Sequence, residues 1–284
     1  MTSIAVLITC HNRKDKTLLC LEALFQNALP KGYALDVYLV DDGSTDRTSD
    51  AVKANYPSVN IIIGDGNLYW NGAMRVAFAA AMQKGFDYYL WLNDDTFLYP
   101  EAIECLLTTA HSSMGNGNIH PLVVGSTENN DGNTTYGGYM RSFFWCPLKF
   151  KLVEPKKVAV ECDTTNGNCL LISNFAALRL GNLDKHFIHQ MGDLDYGLRA
   201  KKEGLRILVM PGYAGRCETN PPHNTFMDKE LSVRIRLQLL MGKKGIPFRS
   251  WLIFSRRHGG FLWWLYLLWP FVKVIFLPIY IFKK

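Results

Sequence analysis

Residues 86–97 read FDYYLWLNDDTF. Between Asp87 and Asn93 the stretch carries no charge, and its aromatic and aliphatic bulk predicts a buried strand. The strand ends abruptly on Asn93-Asp94-Asp95. Two adjacent carboxylates just past a buried strand repel and raise each other's pKa, so they need a partner. A hard divalent ion such as Mg²⁺ or Mn²⁺ supplies one, since carboxylate oxygens suit such ions and the ions carry substrate phosphate. The plainer alternative is a polar turn that closes the strand.

The chain on the N-terminal side repeats the pattern. SIAVLITC (3–10) reads as a first strand and runs into His11-Asn12-Arg13. Residues 14–28 place Leu18, Leu21, Leu24, Phe25 and Ala28 at helical spacing, and Pro30-Lys31-Gly32 ends the helix. A second strand, 35–40, ends in Asp41-Asp42-Gly43-Ser44, where Ser44 or Thr45 is expected to cap a helix beginning near Asp46. A third strand, 59–63, ends in Gly64-Asp65-Gly66-Asn67, and the helix over 71–84 stops at Gly85. Apolar strands alternating with helices predict the α/β class: a mostly parallel, Rossmann-like central sheet with helices on both faces. In such sheets ligands bind beyond the carboxyl ends of the strands. All the polar clusters named lie at such ends, so a single site is expected. Neither a GxGxxG turn nor a GxxxxGK[ST] loop is present, which excludes a dinucleotide dehydrogenase and a P-loop enzyme.

A chain of 284 residues, 48% hydrophobic, has enough apolar side chain for a sizeable core. Met1 leads directly into strand-like sequence, so no signal peptide is expected. Seven cysteines without a CxxC pair predict reduced, mostly buried thiols in a cytoplasmic setting. Residues 229–284 hold eleven Lys or Arg against one acid, Glu230, a balance of +10; with +6 for the whole chain, residues 1–228 carry −4. The acidic part reads as an enzyme body and the basic part as a segment that meets anions. Nucleic acid is not the expected anion.

Four segments then converge: IAVLITCHNR (4–13), LVDDGSTD (39–46), YYLWLNDDT (88–96), and the run from Gly192-Asp193-Leu194-Asp195 through Leu198-Arg199 to Gly204-Leu205-Arg206-Ile207. Together they resemble glycosyltransferase family 2, with the GT-A fold, over roughly residues 3–212. The stretch GDGNLYWNGAMR (64–75) and the tail beyond 226 most resemble the rhamnosyltransferases of that family. The resemblance implies that Thr9, Asn12, Arg13 and Asp42 meet the nucleotide, Asp42 as acceptor for a pyrimidine N3–H. It implies that Asp65, Asn67 and Arg75 lie beside them, with Arg75 toward phosphate. Asp95 becomes the metal ligand, with Asn93 and Asp94 at the sugar or ribose, and Asp193 the catalytic base, with Asp195 its rival. The chain departs from the family pattern in three places: Asn93 replaces an acid, Gly192 replaces a Glu, and 212–217 lacks a His. His223 is the expected substitute as a metal ligand, or Arg216 as a partner for the diphosphate. Plainer alternatives are an Asx-turn or helix cap for Asp42, an exposed helix position for Arg75, and helix-start acids, favoured by the dipole, for Asp193 and Asp195. Trp145 and Tyr136 are candidates for stacking on sugar, or core aromatics.

These readings divide the chain into a nucleotide-sugar half (1–111), an acceptor and catalytic half (112–225) with loops over 115–138, and a basic, aromatic tail (226–284). Residues 261–282, FLWWLYLLWPFVKVIFLPIYIF, contain 22 residues and one charge, Lys273, interrupted by Pro270 and Pro278. Aromatic residues crowd the first half, and basic residues flank the run, which predicts a helical tail lying on an anionic membrane surface. A single crossing and a core helix are the alternatives. The expected function is an inverting, Mg²⁺- or Mn²⁺-dependent glycosyltransferase at the cytoplasmic face of a bacterial inner membrane, serving surface polysaccharide synthesis. Its donor would be a nucleoside-diphosphate sugar, dTDP-rhamnose or a UDP-hexose, and its acceptor a lipid-linked glycan. Rival readings are a sugar-phosphate nucleotidyltransferase and a non-catalytic, membrane-bound glycan-binding subunit.

Overall fold

The structure, a computed structural model, describes residues 1–112, 120–143 and 146–276. Trp145, Pro278 and Lys283-Lys284 lie outside the described residues. The N-terminal half runs β1 (Thr2–Cys10), α1 (Lys14–Phe25), β2 (Tyr33–Asp41), α2 (Thr48–Asn55), β3 (Asn60–Ile63), α3 (Tyr69–Lys84) and β4 (Tyr88–Asn93). There follow β5 (Phe97–Leu98), α4 (Ala102–Ser112), β6 (Leu122–Glu128), β7 (Thr134–Tyr136), β8 (Gly138–Phe143) and β9 (Cys146–Leu152). The chain continues through β10 (Val160–Glu161), β11 (Thr164–Thr165), β12 (Cys169–Ser173), α5 (Asn174–Leu180), α6 (Gly192–Lys202) and β13 (Ile207–Arg216). It closes on α7 (Val233–Met241), α8 (Phe248–His258) and α9 (Trp263–Phe276).

The main sheet is ordered β10-β13-β6-β12-β4-β1-β2-β3. Strands β3, β2, β1 and β4 are parallel neighbours, as apolar strands joined by helices require. Alternation along β1 sorts its side chains to two cores. Ile4, Val6 and Ile8 join Leu21 and Leu24 of α1 and Leu106 of α4 on one face, while Ala5 and Leu7 join Met74 and Phe78 of α3 and Tyr196 of α6 on the other. Gly85 ends α3 with φ 76°, its N–H bonded to Ala81 O, as expected of a left-handed helix stop.

Two expectations change. The helix after β2 begins at Thr48, and neither Ser44 nor Thr45 caps it. Asn12 draws both away: its N–H donates to Ser44 Oγ (2.8 Å) and its Oδ1 accepts from the Thr45 amide (2.7 Å), leaving Asp46 Oδ1 to accept from the Thr48 amide (3.1 Å). The expected loops over 115–138 contain β6 and β7, because β6 gains partners on both sides, β12 and β13. The sheet is mostly parallel, as expected, with β12 antiparallel between β4 and β6 and β10 antiparallel at the edge opposite β3.

The C-terminal segments divide by packing. Phe254 of α8 is buried with Phe187, Met191 and Leu198 of the body, and Ser250 Oγ donates to His186 O at 2.7 Å. By contrast α9 carries Phe276, Leu268 and Trp269 on exposed surface, and Phe261 just before it is 93% exposed. Among the described residues no helix is long and apolar enough to cross a membrane. Helix α9 has 14 residues with Pro270 inside it.

Candidate active site

Strand register brings the polar clusters to one edge. Cys10 lies beside Asp41, Asp41 beside Ile63, and Thr9 beside Asn93. At that edge Arg13, the residue preceding α1, turns its Nη1 onto both acids, 3.2 Å from Asp94 Oδ1 and 2.6 Å from Asp95 Oδ2. Burial pushes the Asp94 carboxyl up to about 7, with Asp95 adding to the rise and Arg13 opposing it. Asp94 Oδ2 is buried without a partner among the described residues. Among the described residues the second oxygen of Asp95 meets only the Cys217 thiol, at 3.6 Å, and burial, then Asp95, push that thiol up to about 12. Adjacent carboxylates with an unpartnered buried oxygen and only a weak thiol donor fit a hard divalent cation.

Asp42 has a different set of partners. Its Oδ1 accepts from the Gly66 and Leu68 amides (2.9 and 3.2 Å) and its Oδ2 from the Tyr69 amide (2.9 Å). It caps the loop into α3, and His11 Nδ1 lies 2.6 Å from its carbonyl. Asp41, by contrast, lines an open cleft with Gly43, Ser44 and Thr45. Asn12, at φ 52°, is the latch between the first two loops. Asp65 and Asn67 are exposed on the third, Asp65 Oδ1 accepting from the Asn67 amide at 2.9 Å. Asn93 Oδ1 accepts from Trp70 Nε1 at 2.7 Å.

Asp193 sits at the start of α6. Its Oδ2 accepts from the Gly167 amide at 3.0 Å and its Oδ1 from the Leu194 amide at 2.8 Å. Burial raises its pKa against those bonds. The absence of Glu at 192 has a steric reason: a Cβ there would stand 1.8 Å from Oδ1 of the fully buried Asn71. Gly167 is likewise dictated, since a Cβ would stand 2.2 Å from the Trp70 ring. The turn at 166–168 therefore joins the two acid sites. Asn93 N–H donates to Asn168 O at 3.0 Å on one side, and Gly167 N–H reaches Asp193 on the other.

Other expected site residues lie elsewhere. Asp195 is fully buried and bound to Arg199 (2.9 Å), Arg257 (2.7 Å) and His258 (2.8 Å). Burial alone would raise its pKa, but His258 and the two arginines hold it below the usual range. With its oxygens committed, it is a structural anchor for α8, not a base. Arg75 Nε donates to Leu183 O at 3.0 Å, so it ties α3 to the segment before α6. His223 Nδ1 pairs with Asp228 Oδ2 at 3.2 Å instead of approaching Asp95. Arg216 Nε donates to Tyr99 OH at 3.2 Å. Burial raises Tyr136's phenol, and Cys217 and Asp95 add to the rise, so this ring lies toward the acid pair.

Sequence reasoning did not single out Trp70, Gly167 or Cys217. Trp70 stood within a quoted motif and Cys217 in the stretch searched for a His, but only the fold brings them against Asn93, Asp193 and Asp95.

A mostly parallel sheet with the antiparallel β12 beside an acid-bearing strand end defines an α/β fold of GT-A type. The profile of glycosyl transferase family 2 matches residues 5–171, and the chain belongs to that family. A curated relative, the N-acetylglucosaminyl-diphospho-decaprenol L-rhamnosyltransferase of Mycobacterium tuberculosis (strain CDC 1551 / Oshkosh), is 25% identical over 199 residues, 62% of this chain and 64% of the relative. The chain thus matches under two thirds of that protein's length. S. aureus TarS 1–349 in complex with UDP superposes with a TM-score of 0.56 at 14% identity, covering 90% of this chain and 70% of that one. The mannosyltransferase PcManGT from Pyrobaculum calidifontis, in complex with GDP-Man and Mn²⁺, gives 0.53 at 15% identity, covering 96% and 72%. At such identities the solved structures share the fold.

Proposed function

We propose that the protein is an inverting glycosyltransferase that moves a sugar from a nucleoside-diphosphate donor, dTDP-rhamnose first and a UDP-hexose second, to a lipid-linked glycan acceptor. The observation that carries the reading is the 166–168 turn, which holds an acid pair on one side and a desolvated carboxylate on the other. Asp94 and Asp95 would hold a Mg²⁺ or Mn²⁺ ion, which supplies Lewis acidity toward the diphosphate. Asp193, with its raised pKa, takes the proton from the acceptor hydroxyl as that oxygen attacks the anomeric carbon. Gly167 and Leu194 orient it through their amides. Arg13 neutralises the acid pair from the solvent side. The rhamnosyl and lipid-linked parts are supported by the mycobacterial relative. The exposed aromatic helix α9 supports attachment to the cytoplasmic face of a bacterial inner membrane, next to such an acceptor. The test is incubation with a panel of nucleotide sugars and a prenyl-diphosphate-linked acceptor, scored for nucleoside diphosphate release. Release with no donor would end the reading.

A further inference from the structure

The turn between α7 and α8, residues 242–247, belongs to the basic C-terminal segment, yet two contacts return it to the catalytic body. Lys243 Nζ donates to Asn67 Oδ1 at 3.3 Å and sits 5.3 Å from the centroid of the Tyr69 ring. Gln190 Nε2 donates to Lys244 O at 2.8 Å. One contact falls on the loop after β3 and the other just before α6, so the turn spans the gap between the donor loops and the segment that carries Asp193. Its shape is fixed from within. Gly245 N–H bonds to Gly242 O (2.9 Å) and Ile246 N–H to Leu240 O (2.6 Å), and a Cβ at Gly245 would stand 2.2 Å from Leu239 O.

Beneath the turn, Tyr69 holds φ 55°, a left-handed conformation that a bulky residue rarely adopts. The bond from its amide to Asp42 keeps it there. His189 meets the Tyr69 ring edge-on, 6.3 Å between centroids, and its Nδ1 is buried without a partner among the described residues. Burial, then Lys244 and Arg13, hold His189 down to about 4, so it is a neutral ring among cations. Arg13 is the residue that faces Asp94 and Asp95. The positive groups Arg13, Lys243 and Lys244 thus surround one Tyr–His pair at the edge of the site.

We propose that Lys243 binds the terminal phosphate of the leaving nucleoside diphosphate, with the 242–247 turn acting as a clasp over the donor. The inference rests on the donor reading above. An ammonium has several donors, and Asn67 takes one, leaving others for phosphate oxygens. Asn67 and the Tyr69 ring hold the lysine in place, so little rotamer freedom is left to lose on binding. In the reaction the acceptor oxygen bonds to the anomeric carbon as the bond from that carbon to the phosphate oxygen breaks. The electron pair stays on the phosphate and the proton passes to Asp193. Negative charge grows on the leaving phosphate, and a cation already placed at the rim of the donor loops favours the transition state.

Calorimetric titration of the full chain with dTDP, UDP, dTMP and UMP, in Mn²⁺, tests this. Lys243→Ala should weaken both diphosphates about tenfold, the loss of one charge-assisted hydrogen bond, and leave the monophosphates unchanged. Lys243→Arg should retain most of the diphosphate affinity. Lys229→Ala removes an equal charge elsewhere and should change nothing. Thermal melting of each variant checks its fold. Diphosphate binding unaltered in Lys243→Ala, or an equal loss for mono- and diphosphates, would overturn the clasp while leaving the donor site standing. A wild-type chain that binds neither diphosphate would overturn the donor reading and the clasp with it.

Discussion

Asp94, buried, and Asp193, half-buried, are carboxylates with opposite company. Asp94 faces a cation and another acid, while Asp193 faces backbone amides. Asp94's raised value, about 7, sets a direction for stability. An unfolded aspartate releases its proton near about 3.9, so between there and about 7 the folded state holds the extra proton. Its contribution is therefore fully present below that window and is lost as pH rises through it. His189, held down to about 4, works the other way: its contribution is present above the ordinary histidine range and lost as pH falls. Comparing melting temperatures of wild type and Asp94→Asn from pH 5 to 8 in EDTA isolates the aspartate. The wild type should lose ground to the variant as pH rises, and parallel curves would show that Asp94 titrates normally. Asp193→Asn keeps the shape and the Gly167 bond but removes the proton acceptor. It should lower transfer about 10²–10⁴-fold while donor binding is retained. Weakened donor affinity with unchanged kcat would instead make Asp193 a binding residue. The types and chain positions of both acids were readable in the sequence. Their partners were not, because Arg13 reaches Asp94 and Gly167 reaches Asp193 from elsewhere in the chain.

Among elements, strands were the most legible, since unbroken apolar runs such as 88–92 permit little else. The direction of β12 was not: Cys169–Ser173 is apolar in either orientation, and only its neighbours fix it. Helix α8 shows a related limit. Arg256-Arg257-His258 reads as a lipid-facing flank, yet Arg257 and His258 close on the buried Asp195, and Arg257 also bonds Asp184 at 2.6 Å. Removing one member of a buried charge cluster leaves the rest uncompensated, at a cost of about 3 kcal/mol. Arg257→Ala should therefore lower the unfolding free energy measured by urea titration by that much. Two truncations sharpen the point. A chain ending at Gly260 should fold with its melting temperature nearly intact, whereas one ending at Pro247 should not, because it exposes Asp195 and uncovers Phe187. Equal stability of the two would mean that α8 is dispensable packing.

At the scale of the molecule, the positive tail is less available to lipid than its +10 balance suggests. Arg236 is 1% exposed, Arg257 is spent on two carboxylates, and Lys243 is held by Asn67. Membrane attachment should then depend chiefly on α9, whose apolar burial contributes about 25 cal/mol per Å². High salt should leave most of the protein on anionic vesicles in flotation assays, and removal of residues 261–284 should release it. Complete release by salt alone would assign attachment to the surface charges instead.

The reversed central strand also bears on how the chain is made. Until residues 169–173 emerge, β4 is the rim of an unfinished sheet, with Tyr89, Leu90 and Trp91 lacking their native neighbours on one side. At ribosomal speeds of about 5–20 residues per second, that rim waits for several seconds. An apolar unpaired edge held open so long invites pairing with the same edge on another nascent chain. Residues 1–111, although they carry β1 to β4 and the loops at their ends, should therefore aggregate when expressed alone and dissolve only when β12 is supplied in the same chain. β12 would then be the strand that closes the first half against such pairing.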